Sequence, residues 1–152
     1  MSVDPRKVLA VCSGGGHWVQ MKRILPSLEG HRVFVATVHE SARAEVDCER
    51  FLVINDASMW TKGALVVSAL RVLWTVLRVR PDVVLSTGAA PGFFAILFGK
   101  LLGARTVWID SIANAEQLSL SGQKAGRFAD LWLTQWPHLA RPDGPQYKGS
   151  VL

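Results

Sequence analysis

The sequence predicts an α/β fold: a single Rossmann-like domain built on a parallel sheet. Three observations carry that expectation. The strand-like runs, such as Val8-Leu9-Ala10-Val11-Cys12, are apolar throughout, as strands covered on both faces are. They alternate with stretches of helical periodicity. Two of them break into glycine-rich loops, Ser13-Gly14-Gly15-Gly16-His17 and Thr87-Gly88-Ala89-Ala90-Pro91-Gly92. In such sheets ligands sit beyond the carboxyl ends of the strands, where the strand order switches.

The first strand is predicted over residues 7–12. It opens through the glycines into an amphipathic helix over 18–28, with Trp18, Met21, Leu25 and Leu28 on one stripe. Residues 32–37 form the second strand, and a short helix is expected over 41–47. Residues 51–54 read as a third strand, closed by Asn55-Asp56-Ala57-Ser58. A helix follows over 63–79, then a fourth strand over 82–86. The second glycine loop leads into a helix over 91–102, and 105–109 is the fifth strand. A helix around 122–129 precedes a sixth strand over 131–135. From Arg141 onward, Pro142, Gly144, Pro145 and Gly149 predict little intrinsic structure. The domain is therefore placed at residues 1–140, with a flexible or partner-dependent tail at 141–152.

A chain of 152 residues at 49% hydrophobic content suffices for one domain with a real core. Cys12 and Cys48 fit no disulfide framework, and Cys12, at the end of a buried strand, reads as a small hydrophobe in a reducing compartment. The start, Met1-Ser2-Val3-Asp4-Pro5, is polar, so no signal peptide or N-terminal anchor is expected. The net charge of +5 suits a nucleic acid, an anionic bilayer or an anionic substrate. Basic residues dispersed among apolar helices, without a recognition motif, argue against nucleic acid. Gly14 and Gly16 supply two glycines of a dinucleotide-binding pattern, but Val19 stands at the third. The second strand ends in Ala36-Thr37-Val38-His39, with no acid to hold a ribose, so a dinucleotide-dependent oxidoreductase is the weaker alternative. His31 and His138 have no companions at metal-ligand spacing, and no metal site is predicted.

Three consecutive glycines let the backbone approach a ligand and leave N–H groups facing outward. The helix beginning near His17 adds its positive dipole end. That combination suits a phosphate or diphosphate, flanked by the Ser13 hydroxyl and the His17 ring. The second glycine loop and the segment 110–116 also follow strands, so all three are expected to meet at one edge. In the helix over 63–79, Ser68, Arg71, Thr75 and Arg78 are spaced three, four and three apart, forming one narrow polar stripe. With Arg71 at its middle, this segment is not a membrane span. Two readings are open. Either the arginines line the only wet face of a core helix, or Arg71 and Arg78 face lipid phosphates at a membrane surface, which Trp60 and Lys62 favour. The helix over 91–102 either serves the core or helps to hold a lipid tail.

Several motifs resemble a specific family: Ser13-Gly14-Gly15-Gly16-His17, Pro81-Asp82-Val83-Val84-Leu85-Ser86-Thr87-Gly88-Ala89-Ala90-Pro91, Ile109-Asp110-Ser111, Leu118-Ser119-Leu120-Ser121-Gly122, and Ala129-Asp130-Leu131 with Gln135-Trp136-Pro137. In this order they look like the acceptor-side subunits of split glycosyltransferases, the PssD-like proteins of bacterial polysaccharide assembly. Their eukaryotic relatives are the membrane-recruiting subunit of the transferase that adds the second N-acetylglucosamine to dolichyl diphosphate. The family is similar to the N-terminal half of MurG-type GT-B enzymes, whose two Rossmann-like domains face each other across a catalytic cleft. The resemblance implies a subunit active only with a donor-binding partner chain. The pair would transfer a sugar, N-acetylglucosamine or a related one, from a UDP-sugar to a polyprenyl-diphosphate-linked acceptor. No covalently bound cofactor is implied, and a divalent metal is left open. The implied location is cytoplasmic, peripheral at the inner face of the cytoplasmic membrane. A non-catalytic scaffold that recruits the catalytic partner is the alternative.

By this resemblance, Gly14, Gly15, Gly16, Gly88 and Ala89 would offer N–H groups to the acceptor diphosphate, beside Ser13. Inverting transfer needs a base for the acceptor hydroxyl proton. His17 is one candidate, unless it only hydrogen-bonds phosphate. Asp110 is the rival base. Relatives commonly carry Glu there, so Asp110 has the shorter reach. Ser111 and Glu116 are secondary candidates. Ser111, Ser119 and Ser121 are placed to bond sugar hydroxyls, or Ser121 to cap the following helix. Gln135, Trp136 and Pro137 are implied to lie near the partner half, where an aromatic anchor suits an interface.

Overall fold

The computed structural model describes residues 4–58 and 60–151; residues 1–3, where the polar start was read, lie outside the described residues, as do Met59 and Leu152. The first apolar run forms β1 (Lys7–Cys12), and α1 (Gly16–Ile24) leaves it through the triple glycine. Pro26 cannot continue the hydrogen-bond ladder, so the predicted helix to residue 28 ends in a 3₁₀ turn, Leu25–Leu28. β2 (Arg32–Thr37) and β3 (Arg50–Val53) follow, joined by a second 3₁₀ turn, Glu40–Glu45. The chain then crosses through α2 (Lys62–Val79) to β4 (Val83–Gly88), and α3 (Ala89–Leu101) leads to β5 (Arg105–Ile109). α4 (Leu120–Ala125), β6 (Leu131–Thr134) and β7 (Gln146–Tyr147) complete the order.

All neighbouring strands pair in parallel, in the order β3-β2-β1-β4-β5-β6-β7. This is the predicted α/β Rossmann-like sheet. The order reverses between β1 and β4, whose outgoing loops therefore diverge and open a crevice at their carboxyl ends. Cys12 pairs there with Gly88 after a register shift that begins at Val11. One face is covered by α2, α3 and α4, with Val72, Val76, Ile96 and Ala125 packed on Leu9, Val11, Val84 and Trp108. On the other face Trp18 and Met21 of α1 pack on Val8, Ala10, Val35 and Phe51.

The polar stripe of α2 turns out not to be its wet face. Ser68 and Thr75 are fully buried against the sheet, where Ser68 Oγ donates to Asn55 O (2.9 Å) and Thr75 Oγ1 to Arg71 O (2.9 Å). Each hydroxyl satisfies itself on a local carbonyl, so burial leaves no orphaned donor. The outward face instead carries Val66, Val67, Leu70, Trp74 and Leu77, all exposed. Arg71 and Arg78 border it, their guanidinium carbons 5.0 and 5.5 Å from the Trp74 ring centroid. No helix among the described residues is long and apolar enough to cross a membrane.

The segment after Arg141 is also better ordered than its composition suggests. Gln146 and Tyr147 add to β6 as the edge strand, and Val151 N–H donates to Gln135 Oε1 (2.7 Å). Arg23 Nη1 reaches Val151 O (3.2 Å). These are tertiary bonds that Gly and Pro content does not foretell.

Asp130 fastens β6 to β5. Its carboxylate accepts from Lys100 Nζ (2.5 Å) and from Thr106 N–H (2.9 Å), and these bonds hold the Asp130 carboxyl below the usual carboxylate range. A carboxyl depressed in the folded state adds stability that is present above its ordinary pKa of about 4. That stability is lost as pH falls through the lower folded value. Asp130→Asn is therefore expected to flatten the fall in urea midpoint below about pH 4. An unchanged acid limb would mean the pair contributes nothing.

Candidate active site

The crevice between β1 and β4 is bounded by two helix starts. Neither α1 nor α3 has a side-chain cap, and neither carries an acidic residue in its first turn. Their first-turn N–H groups and positive dipole ends are thus left for an external anion. Gly15 caps α1 at φ +64°, a left-handed conformation that glycine takes without strain. Around Gly15 and Gly16, no atom comes within 4 Å of where a Cβ would stand, so a ligand can approach the backbone there. Ser13 is buried at the mouth of this loop.

His17 is clamped by a reciprocal pair of bonds to β4. Thr87 Oγ1 donates to His17 O (2.8 Å), and His17 Nδ1 lies 3.0 Å from Thr87 O. A carbonyl only accepts, so Nδ1 carries hydrogen and the neutral ring presents Nε2 as its free acceptor nitrogen. Gly88, at φ +140°, makes this possible, because any Cβ there would stand against the imidazole. Its own N–H is already directed to Ser86 Oγ (3.1 Å). Gly88 therefore contributes room for the His17 ring rather than the anion contact expected of it. Ala89, next in the chain, holds φ +66° without being glycine, a strained conformation at the start of α3.

Asp110 lies at the carboxyl end of β5 but faces inward. It is 2% exposed, and its carboxylate accepts from Ser119 Oγ (2.6 Å), Ser119 N–H (3.1 Å), Trp108 Nε1 (3.1 Å) and Asn114 Nδ2 (3.4 Å). Its reach is spent on the interior. Ser119, not Ser121, is the N-cap of α4, accepting from Gly122 N–H (2.9 Å), while Ser121 is buried within that helix. Ser111 is buried too, its Oγ accepting from Gln20 Nε2 (3.0 Å) and Ala113 N–H (3.2 Å). Glu116 is exposed on the loop that follows. Gln135 is 3% exposed and donates to Asp110 O (3.0 Å) and to Gln20 Oε1, so it presents no surface to a partner. Trp136 is half-buried, bonded through Nε1 to Ile112 O (2.8 Å), and Pro137 is exposed. Any partner contact in this stretch rests on those two.

Sequence reasoning overlooked several residues here. Gln20 joins α1 to the loop after β5, accepting from Ile112 N–H (3.3 Å). His39, beyond β2, lies over Gly14, its Nε2 2.8 Å from where a Cβ would stand. The fit of Thr87 to His17 belongs to the register of two strands and has no local signal. Burial pushes the Cys12 thiol up to about 11, so this neighbour stays protonated and is no nucleophile.

The family described as "Oligosaccharide biosynthesis protein Alg14 like" matches residues 42–151. The chain belongs to the Alg14-like family. The UDP-N-acetylglucosamine transferase subunit ALG14 of Homo sapiens is 30% identical over 174 residues, covering 91% of this Alg14-like chain and 81% of the human protein. Its namesake in Eremothecium gossypii is 28% identical, covering 90% and 75%. Among solved structures, Acinetobacter baumannii MurG superposes with a TM-score of 0.76 at 13% identity. The match takes in 96% of the Alg14-like chain but 46% of MurG. The UDP-GlcNAc 2-epimerase of Neisseria meningitidis, solved with UDP-GlcNAc, superposes at 0.63 and 14% identity, over 40% of its length. Both are likenesses of fold. The Alg14-like chain spans less than half of either protein.

Proposed function

We propose that this chain is the acceptor-binding half of a two-part UDP-sugar transferase in oligosaccharide biosynthesis, paired with a separate donor-binding subunit. The sugar moved is N-acetylglucosamine or a close relative, and the acceptor is a polyprenyl-diphosphate-linked sugar. The observation that carries this reading is the crevice itself: two uncapped helix N-termini beside an open triple glycine, with an imidazole nitrogen left free by Thr87. That arrangement answers to a diphosphate and to one transferable proton. The names of the relatives, subunits of a UDP-N-acetylglucosamine transferase, and the match to 46% of MurG support this reading.

In this mechanism the N–H groups of Gly15, Gly16 and Ala89 hold the diphosphate, and Ser13 borders it. The acceptor hydroxyl oxygen attacks the anomeric carbon of the donor. Its proton passes to His17 Nε2 as the bond from that carbon to the UDP oxygen breaks. Asp110, bonded on all sides, positions the loop 110–119 instead of taking the proton. The exposed apolar face of α2, bordered by Arg71 and Arg78, lies on the bilayer that carries the acceptor, arginines toward lipid phosphates. A soluble short-chain prenyl-diphosphate sugar added to the ¹⁵N-labelled chain tests the first step. Amide shifts at Gly15, Gly16 and Ala89 are expected; shifts confined to other regions would refute it.

A further inference from the structure

We propose that the cavity at the opposite edge of the sheet from the glycine loops seats the headgroup phosphate of an anionic phospholipid. The inference rests on the reading that the outer face of α2 lies on the bilayer, and adds to it a specific lipid contact. The cavity, about 670 Å³, lies where α2 and α3 end and β4 and β5 begin. Arg6, Arg80 and Arg105 line it. The ion pairs among the described residues use Lys22, Arg32, Arg43 and Lys100, so none of these three is neutralised in that way. Asp82 is the one carboxylate in the lining, and it is engaged with Lys7 N–H (2.9 Å). Three guanidinium groups against one committed carboxylate leave a site that favours an anion. Their planar forks match phosphate oxygens in particular.

Arg80 adds a separate observation. It ends α2 at φ +51°, the left-handed position where helices ordinarily place glycine. A bulky side chain is tolerated there only when its surroundings hold it, and strained residues of this kind gather at ligand clamps. The apolar part of the lining decides the kind of anion. Leu77 and Leu102 are about half exposed, at 50% and 53%, and Leu77 also belongs to the apolar face of α2. The cavity therefore opens at the end of the strip assigned to the membrane. Leucines at its rim contribute nothing to inorganic phosphate but shelter the glycerol and first methylenes of a lipid. An occupied headgroup seat at this end would hold α2 flat on the bilayer and leave the glycine loops at its other end.

The test is sedimentation of the full chain with vesicles of phosphatidylcholine alone or with added phosphatidylglycerol. An arginine at an anionic surface is worth roughly fivefold in partitioning. The variant Arg6→Gln/Arg80→Gln/Arg105→Gln should lose about a hundredfold of its affinity for the anionic vesicles, the per-residue effect taken three times. It should bind neutral vesicles as before. A charge-matched control, Lys124→Gln/Arg127→Gln/Arg141→Gln, should lose far less. Equal losses in the two variants would overturn the site in favour of general charge attraction, and no loss in the first would overturn it outright. Inorganic phosphate binding that is lost in the triple variant, while its sedimentation with anionic vesicles stays at the wild-type value, would make the ligand free phosphate and overturn the lipid assignment. Failure of the bilayer reading itself looks different: Leu70→Ser/Trp74→Ser would then leave binding to both kinds of vesicle unchanged.

Discussion

His17→Ala is expected to lower sugar transfer by the paired subunits about 10²–10⁴-fold, the usual contribution of a positioned general base. The expectation follows from the bond between Nδ1 and Thr87 O, which fixes the tautomer and leaves Nε2 to take a proton. The substitution removes one hydrogen bond of a half-buried ring, so the loss of fold stability should stay near 1 kcal/mol. The two roles open to this histidine separate kinetically. A base that acts in the transition state lowers kcat with KM nearly unchanged, whereas a phosphate ligand raises KM. Thr87→Val, which removes the bond to His17 O but leaves the Thr87 carbonyl in place, should fall between wild type and His17→Ala. Turnover unaffected by His17→Ala would move all proton transfer to the partner chain and favour the recruiting-scaffold alternative.

Asp110→Ala should destabilise the fold by roughly 3–5 kcal/mol, because hydrogen bonds to a carboxylate contribute about 1.5–3 kcal/mol each and several are lost together. The carboxylate is 2% exposed and accepts from the Ser119 hydroxyl and backbone, the Trp108 indole and Asn114. Without it the Trp108 indole N–H is left buried and unpaired. Asp110→Asn keeps the shape but turns an amide N–H toward a donor, and should cost less, about 1–3 kcal/mol. Against a domain stability on the order of 5–15 kcal/mol, the alanine change is severe. Urea unfolding of the isolated chain measures both. If Asp110 were instead the base, the asparagine variant would abolish turnover while its urea midpoint stayed at the wild-type value.

Much of this was legible in the residues. Continuous apolar runs mark β1, β2 and β5 with the bounds they have, because strands buried on both faces admit almost nothing polar. The glycine loops fall at the switch point because the strand order puts them there. The orientation of α2 was not legible. Ser68 and Thr75 look polar in a helical wheel, yet each buries its hydroxyl by bonding a nearby carbonyl, which turns the large apolar side chains outward. Nor was the role of Asp110, since its donors come from residues up to nine positions away, through a loop with no periodicity. The edge strand β7 has two residues among glycines and prolines, and its order depends on pairing with β6 and on the bond from Val151 to Gln135. His39 and Gln20 reach their neighbours across separate strands and helices, contacts that spacing along the chain does not encode.

The most direct measurement is transfer of labelled sugar from a panel of UDP-sugars to membrane lipid extract. It would be run with this chain alone and with a donor-side half co-expressed. Activity from the pair, and none from either chain by itself, is the predicted result, and the productive UDP-sugar would name the donor. Activity from this chain alone would contradict the account, because the donor site would then lie within these 152 residues.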